Sequence, residues 1–280
     1  MTRQVTIRVP ASTSNLGPGF DCLGVALKIY NEVTVVRGAS SRLPRIATDA
    51  AKLFFKRAHV RPFAFSCSTK EQVPRMRGLG SSATIRLGIL HGLNRLAGSP
   101  LDRLSIFCLC AELEGHPDNA APSSFGGFTV ARGKTIQRFE VSRLYFIFLI
   151  PDFEIKTSHA RKILPQKISR VAAVQSLGNA CAITAAFASR DYAKLRGAFV
   201  DRLHQPFRAK LIPILPHVIA AAEKAGALGA FLSGSGSGIC AVTLQDRHKI
   251  AAAMMRAAKS RSARTIITTA DNQGVKTHGT

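Results

Sequence analysis

Tryptophan is absent, tyrosine occurs 3 times, and 16 Asp+Glu stand against 39 Lys+Arg. The shortage of carboxylates excludes an acidic, solvating chain. It leaves a formal net charge of +23, which favours anionic partners. A dedicated nucleic-acid surface needs basic runs interleaved with aromatic stacking platforms. No run of five basic residues occurs, and the aromatics fall in apolar stretches such as Tyr145-Phe146-Ile147-Phe148. No specific nucleic acid is therefore expected, and the charge is read as attraction for an anionic substrate. The 6 cysteines form no Cys-x-x-Cys pair and have no histidine at zinc-site spacing. That excludes a disulfide frame or structural zinc and leaves free thiols in a reducing compartment. No uninterrupted apolar run approaches the ~20 residues of a membrane span, and residues 1–5 lack the apolar core of a secretory leader. A cytoplasmic protein with no membrane partner is expected. Also missing is the Gly-x-x-x-x-Gly-Lys-Ser/Thr pattern of a Walker phosphate loop.

What is present can build a core, since 46% of residues are hydrophobic. Alternation at Val5, Ile7 and Val9 predicts a strand closed by Pro10, and further strands are predicted at 25–36, 62–68, 129–131 and 144–150. Helices are predicted at 49–58 and after the glycine loop, where Ala83, Leu87, Leu90, Leu93 and Ala97 recur at helical spacing. Ser99-Pro100 reads as an N-cap followed by a first-turn proline, opening a helix to residue 114. The second half predicts helices at 168–188, 191–198 and 213–225, a basic helix at 247–262, and one short strand in the polar tail. Strands and helices mix throughout, an α+β reading, and a division at Pro151 gives domains 1–150 and 151–280.

Four segments carry chemistry. In Gly78-Leu79-Gly80-Ser81-Ser82 two glycines turn successive N–H groups inward, two hydroxyls stand beside them, and a helix starts at once. Together these make an anion site, although an ordinary Gly/Ser helix start has the same composition. Glu112-Leu113-Glu114-Gly115-His116-Pro117-Asp118-Asn119 follows. Ser82 and Glu114 would supply two oxygens of the kind Mg²⁺ takes, while His116, Asp118 and Asn119 either orient a polar substrate or cap a turn. Asn15-Leu16-Gly17-Pro18-Gly19-Phe20-Asp21 forces a tight path that presents Asn15 and Asp21. Ser233-Gly234-Ser235-Gly236-Ser237-Gly238 brings bare backbone to a phosphate or forms a plain hairpin.

In this order the segments resemble the motifs of the GHMP small-molecule kinases, over roughly residues 5–242. Glu114-Gly115-His116-Pro117-Asp118-Asn119, Thr157 with Ala160-Arg161, and His204-Gln205-Pro206-Phe207-Arg208 resemble, within them, the homoserine kinases. The resemblance implies a GHMP kinase fold, with an N-terminal domain like ribosomal protein S5 domain 2 and a ferredoxin-like C-terminal domain. It implies transfer of a phosphoryl group from ATP, with Mg²⁺, to the side-chain hydroxyl of L-homoserine. Pro74, Arg75, Met76, Arg77, Gly78, Leu79, Gly80, Ser81, Ser82, Ala83, Thr84, Ser235 and Gly236 would contact ATP. Asn15, Asp21, His116, Asp118, Arg161 and Arg208 would hold the acceptor, and Asp118, Asn119 and Thr157 would be catalytic. Carboxylates suit an amino acid's ammonium and arginine forks its carboxylate. A homodimer is compatible with this reading.

The sequence departs from the family pattern at Met76, where a small residue is usual, and lacks the Asn-Leu pair expected before the 49–58 helix. Adenine contacts are therefore not assigned. Two other readings use the same residues. One is a GHMP kinase for L-threonine, pantoate or a mevalonate-type acid. The other is a basic RNA-binding relative that has lost catalysis.

Overall fold

The structure, a computed structural model, describes residues 3–38, 42–260 and 262–278. The first half runs β1 (Gln4–Ser14), β2 (Leu23–Arg37), α1 (Arg45–Ala58), β3 (Phe65–Lys70), α2 (Ser81–Leu96), α3 (Arg103–Glu114), α4 (Ala120–Phe125), β4 (Phe128–Arg132) and β5 (Thr135–Phe139). The second runs β6 (Tyr145–Ile150), α5 (Thr157–Lys162), α6 (Arg170–Ser189), α7 (Gln205–Arg208), α8 (Leu215–Lys224), β7 (Gly229–Leu232), β8 (Ile239–Thr243), α9 (Arg247–Ala258), β9 (Arg264–Thr269) and β10 (Lys276–His278). Met1 and Thr2 of residues 1–5, and Arg261 of the predicted last helix, lie outside the described residues.

Two antiparallel sheets organise these elements. The first has the order β10-β1-β2-β4-β5, with β3 also on β2. The second has the order β7-β8-β6-β9, which renumbered from β6 is 4-1-3-2 read backwards, with α8 and α9 packed on one face. That is the split βαβ pattern of a ferredoxin-like unit.

β6 explains both why its sequence is uniformly apolar and why it belongs to the second sheet. Phe146 and Phe148 face a core shared with Val25, Leu27 and Phe128 of the first sheet. Ile147 and Leu149, one residue out of phase, face α8 and α9. Buried on both faces, a strand shows no polar alternation. A division by sheet therefore falls between β5 and β6, ahead of the Pro151 expected from sequence. The tail also differs: it holds two strands, and the second returns to pair with β1.

α2 lies flush on β2. Gly88 and Gly92 share one helix face, and a Cβ on either would lie 2.4 Å from Val33 Cγ2 or Val35 Cγ2 respectively. This close seat aims the N-terminus of α2, and with it the glycine loop, at one place. The strand predicted to stop at Pro10 continues to Ser14, because a register shift between Pro10 and Ala11 lets the proline pass. The cap of α3 is Asp102, whose carboxylate accepts from Ser105 N at 2.8 Å, three residues after the predicted Ser99. Only a short 3₁₀ turn, Tyr192–Leu195, forms in the predicted helix at 191–198. The last helix ends at Ala258. α6 is long and apolar enough to cross a membrane by length and composition, with mean hydropathy 1.4. Its C-terminal half nonetheless packs inward, with Phe187 stacked on Phe128 at 4.2 Å.

Candidate active site

The glycine loop is fastened by its carbonyls. Arg77 O accepts from Gly238 N at 3.2 Å, Gly78 O from Ser233 Oγ at 2.6 Å, and Leu79 O from Ser12 N at 3.1 Å. Gly78 and Gly80 have φ of 71° and 69°, and Cβ atoms there would stand 1.9 Å from Ser233 O and 2.3 Å from Ser12 Oγ. Gly80 is the N-cap of α2, so the helix begins with N–H groups that have no carbonyl one turn back. The result is a preformed anion cradle at a helix N-terminus.

Beneath it, Asn119 braces the floor. Its Oδ1 accepts from Ser12 Oγ at 3.0 Å and its Nδ2 donates to Ser14 Oγ at 3.0 Å. Asp118 is buried beside His116, with Oδ1 2.5 Å from Nδ1. Burial opposes both charges. Even so, the hydrogen bond and opposite charges of the pair win, raising the His116 pKa and lowering that of Asp118. The Asp118 carboxylate therefore stays ionised and is a weak proton acceptor.

The first motif and the second half meet next to this pair. Asn15, at φ 69°, accepts from Asp21 N at 3.0 Å and donates to Gly234 O at 3.1 Å, which turns the Asp21 carboxylate towards the cleft. Arg161, on α5, binds Asp21 with both Nη atoms, at 3.0 and 2.5 Å. Ligand atoms of Asp21, His116 and Asp118 lie within 4.8 Å of one another, an anionic corner already visited by a guanidinium.

Arg208 is 2% exposed and donates to Ala160 O at 3.1 Å and Gly234 O at 3.0 Å. Burial, then the charge of Arg161, lowers its pKa to about 10, still far above neutrality. His204 accepts from Arg208 at 3.2 Å through Nδ1 and donates to Gly17 O at 2.8 Å through Nε2. Burial pushes the His204 pKa down to about 4, which keeps the ring neutral and able to accept. Both guanidiniums flank the Phe20 ring, Arg161 at 5.4 Å and Arg208 at 5.3 Å. Asp201 organises α7 from below, accepting from the backbone N–H of Leu203, His204 and Gln205.

At the mouth, Ser82 Oγ donates to Glu114 Oε1 at 2.7 Å, which brings together the two residues expected to offer oxygens to Mg²⁺. Thr157 and Ser235, whose hydroxyls are 3.2 Å apart, form the facing wall. The glycine loop, Asp21, Ser82, Glu114, Asp118, Thr157, Arg161, Arg208 and Ser235 line one cleft of about 620 Å³, which Pro44, Ile46, Thr69 and Ile85 also line. Large enough for a nucleotide and a small second molecule, it places an anion cradle between an apolar slot and a zwitterion-shaped corner.

The GHMP kinases N terminal domain family matches residues 45–127, and the GHMP kinases C terminal family matches residues 183–260. The chain is 40% identical to the homoserine kinase of Caldicellulosiruptor bescii over 257 residues, 85% of this chain and 84% of that one. It is 35% identical to the homoserine kinase of Aquifex aeolicus, over 98% and 99% of the two chains. The chain belongs to the homoserine kinase family of the GHMP kinases.

The crystal structure of homoserine kinase from Cytophaga hutchinsonii superposes with a TM-score of 0.90 at 26% identity, covering 99% of this chain and 98% of that chain. Crystal structures of mevalonate kinases at 14% identity share the fold alone. ATP is thus the phosphoryl donor that family membership brings.

Against the residues predicted from the homoserine kinase motifs, the cleft gathers Asn15, Asp21, His116, Asp118, Asn119, Thr157, Arg161, Arg208 and Ser235. It also gathers Arg75, Met76, Gly78, Leu79, Gly80, Ser81, Ser82 and Glu114. Pro74, Arg77, Ala83, Thr84 and Gly236 do not line it. Arg77 points to the second half, donating to Pro151 O and Asp152 O at 3.0 Å each. The Thr84 hydroxyl is buried between Ser81 O and Asn31. The sequence reading missed Arg86, whose Nη1 lies 2.5 Å from Glu114 Oε1, and the apolar slot. Spacing offered a signal for Arg86, four residues after Ser82 on the same helix.

Proposed function

We propose that the protein phosphorylates the side-chain hydroxyl of L-homoserine at the expense of ATP, with Mg²⁺, in the cytoplasm. The observation that carries the reading is the corner where Asp21, Asp118, Arg161 and Arg208 meet beside the anion cradle. The acidic pair suits an ammonium and Arg208 a carboxylate, and Arg161 can exchange its bond to Asp21 for one to the same carboxylate. An amino acid held there by its head group presents its side chain along the cleft towards the cradle.

Adenine fits the slot between Pro44, Ile46, Thr69 and Ile85, with the phosphates on the N–H groups at the start of α2. For Mg²⁺ the donor set is apt: a hydroxyl and a carboxylate are hard oxygen ligands, and Glu114 Oε2 has no hydrogen-bond partner among the described residues. Bound between Ser82 and Glu114, the ion would neutralise charge on the phosphate oxygens.

This chain's own residues supply positioning. Phosphoryl transfer proceeds through a loose transition state, for which alignment and charge stabilisation matter more than a strong base. The low pKa of Asp118 agrees with a role in holding the acceptor rather than in deprotonating it. Asn119, spent on Ser12 and Ser14, keeps Asp118 and the first motif in register. The hydroxyl of Thr157 faces the cleft from the α5 side, where it can hydrogen-bond the acceptor oxygen.

The test is turnover of L-homoserine, L-threonine, pantoate and mevalonate with MgATP, followed by ³¹P NMR. A corner with buried ionic partners rejects acceptors that leave those partners unpaired. The expected kcat/KM for L-homoserine exceeds that for pantoate and mevalonate by on the order of a hundredfold or more. Faster turnover of an acceptor without an ammonium would remove the assignment.

A further inference from the structure

The two oxygens of Glu114 are not equivalent. Oε1 accepts from Ser82 at 2.7 Å and lies 2.5 Å from Arg86 Nη1, which also donates to Leu113 O at 2.7 Å. Oε2 has no protein partner among the described residues. The ion pair is largely out of solvent, its side chains 18% and 10% exposed. Arg86 Nε is buried without a partner among the described residues, so the guanidinium takes its place from Glu114 and Leu113 O rather than from a complete set of its own bonds. Ser82 and Arg86 stand four residues apart on α2, and one face of the helix therefore sends both to the same carboxylate oxygen.

A carboxylate that ligates a divalent cation usually offers it a full negative charge. Here the charges of Glu114 and Arg86 cancel before any ion arrives. In a half-dry cleft, a guanidinium one carboxylate away opposes a second cation strongly. Nucleotide phosphates in the cradle reverse the balance, because they bring several negative charges to the same place.

Building on the Ser82 and Glu114 magnesium reading, we propose that Arg86 is an internal counter-cation of Glu114. It keeps the nucleotide-free cleft from holding a divalent cation tightly and so ties metal entry to nucleotide entry, while leaving Oε2 as the free ligand atom. Arg86 is a positioning residue and touches neither substrate.

The test titrates Mn²⁺ against the purified full-length protein without nucleotide, with free Mn²⁺ read by electron paramagnetic resonance. Arg86→Met keeps an unbranched apolar stem and removes the charge, and is expected to bind Mn²⁺ about tenfold more tightly or better than wild type. Arg86→Lys is expected to stay within a factor of about three of wild type, because the charge is kept. Arg86→Gln reads out the same effect should the Met variant fail to fold. Unchanged or weaker Mn²⁺ binding in both neutral variants overturns the proposal. So does a gain that survives when Glu114→Gln is added to Arg86→Met. The magnesium reading is checked separately, with ATP present: Glu114→Gln should then weaken Mn²⁺ binding. If it does not, the reading fails, whatever Arg86→Met does.

Discussion

His91 shows how a single group sets a limit on conditions. It sits on α2 beside Arg103, with Nε2 buried and unpartnered among the described residues. Burial, helped by Arg103, lowers its pKa to about 3 against an ordinary 6.5. The unfolded chain therefore takes up a proton at pH values where the folded chain does not, and stability falls as pH drops through the window from 6.5 to about 3. By pH 5 that share is on the order of 2 kcal/mol. His91→Leu removes it and also removes an unsatisfied polar atom. The expected result is a variant equal to or slightly more stable than wild type at pH 7 and clearly more stable at pH 5, as read from Tm across that range. A parallel fall of both proteins between pH 7 and pH 5 would show that His91 takes no part. At this scale the site was legible wherever neighbours in sequence are neighbours in space, as with His116 and Asp118. It was opaque where Asp21 meets Arg161 across 140 positions, a pair reached only through family resemblance.

Among the elements, α2 carries the glycine loop at its N-terminus, and its interior glycines decide how closely it lies on the sheet. Alanine is favoured over glycine in a free helix by roughly 1 kcal/mol. At Gly88 a Cβ would sit 2.4 Å from Val33 Cγ2 and 2.5 Å from Val33 Cβ, inside contact distance and against a β-branched side chain that cannot swing away. Gly88→Ala is therefore expected to destabilise by about 1–3 kcal/mol, through overpacking. Gly178 of α6 has nothing within 4 Å of the same position, so Gly178→Ala should stabilise by up to about 1 kcal/mol. Chemical denaturation of the two variants measures both signs, and equal signs would mean that helix propensity outweighs packing at Gly88. Element types were readable from periodicity, because α2 buries Ala83, Leu87, Leu90 and Leu93 at helical spacing and the later part of β2 buries Val33 and Val35 in alternation. Ends were less so. Ser99-Pro100 mimics a cap, but Ser99 sits at φ 62° and the Asp102 carboxylate wins because it reaches Ser105 N. The short α4 and α7 carry too few residues for a period; tertiary bonds such as those of Asp201 define α7.

For the whole molecule, the cleft depends on two halves that the chain visits in turn. Arg77, expected from the family resemblance to contact ATP, clasps the halves together, bonding Pro151 O and Asp152 O and pairing with Glu154 at 3.4 Å. Its side chain is 13% exposed, so the bonds are worth more than a surface pair. Arg77→Met is expected to destabilise by about 1–3 kcal/mol. It should also raise the ATP KM several-fold and strip amide-exchange protection from residues 76–82 while sparing the rest of α2. Unchanged protection of that loop would mean that the Gly238 and Ser233 bonds hold it unaided. The sequence indicated an α+β chain with a break near its middle. It could not assign β6 to a sheet, because a strand apolar on both faces looks the same whether it ends one sheet or centres the next.

β10 pairs Thr6 with His278, Ile7 with Thr277 and Arg8 with Lys276. In chain order β1 precedes the entire second sheet and β10 follows it, so on the ribosome β1 emerges well before this partner. Until then one edge of β1 stands open, its amides and carbonyls available to any extended strand nearby. Vectorial synthesis therefore leaves the first sheet incomplete until the second has been made. Chaperone demand should track that interval, and the sheet begun first is the one finished last.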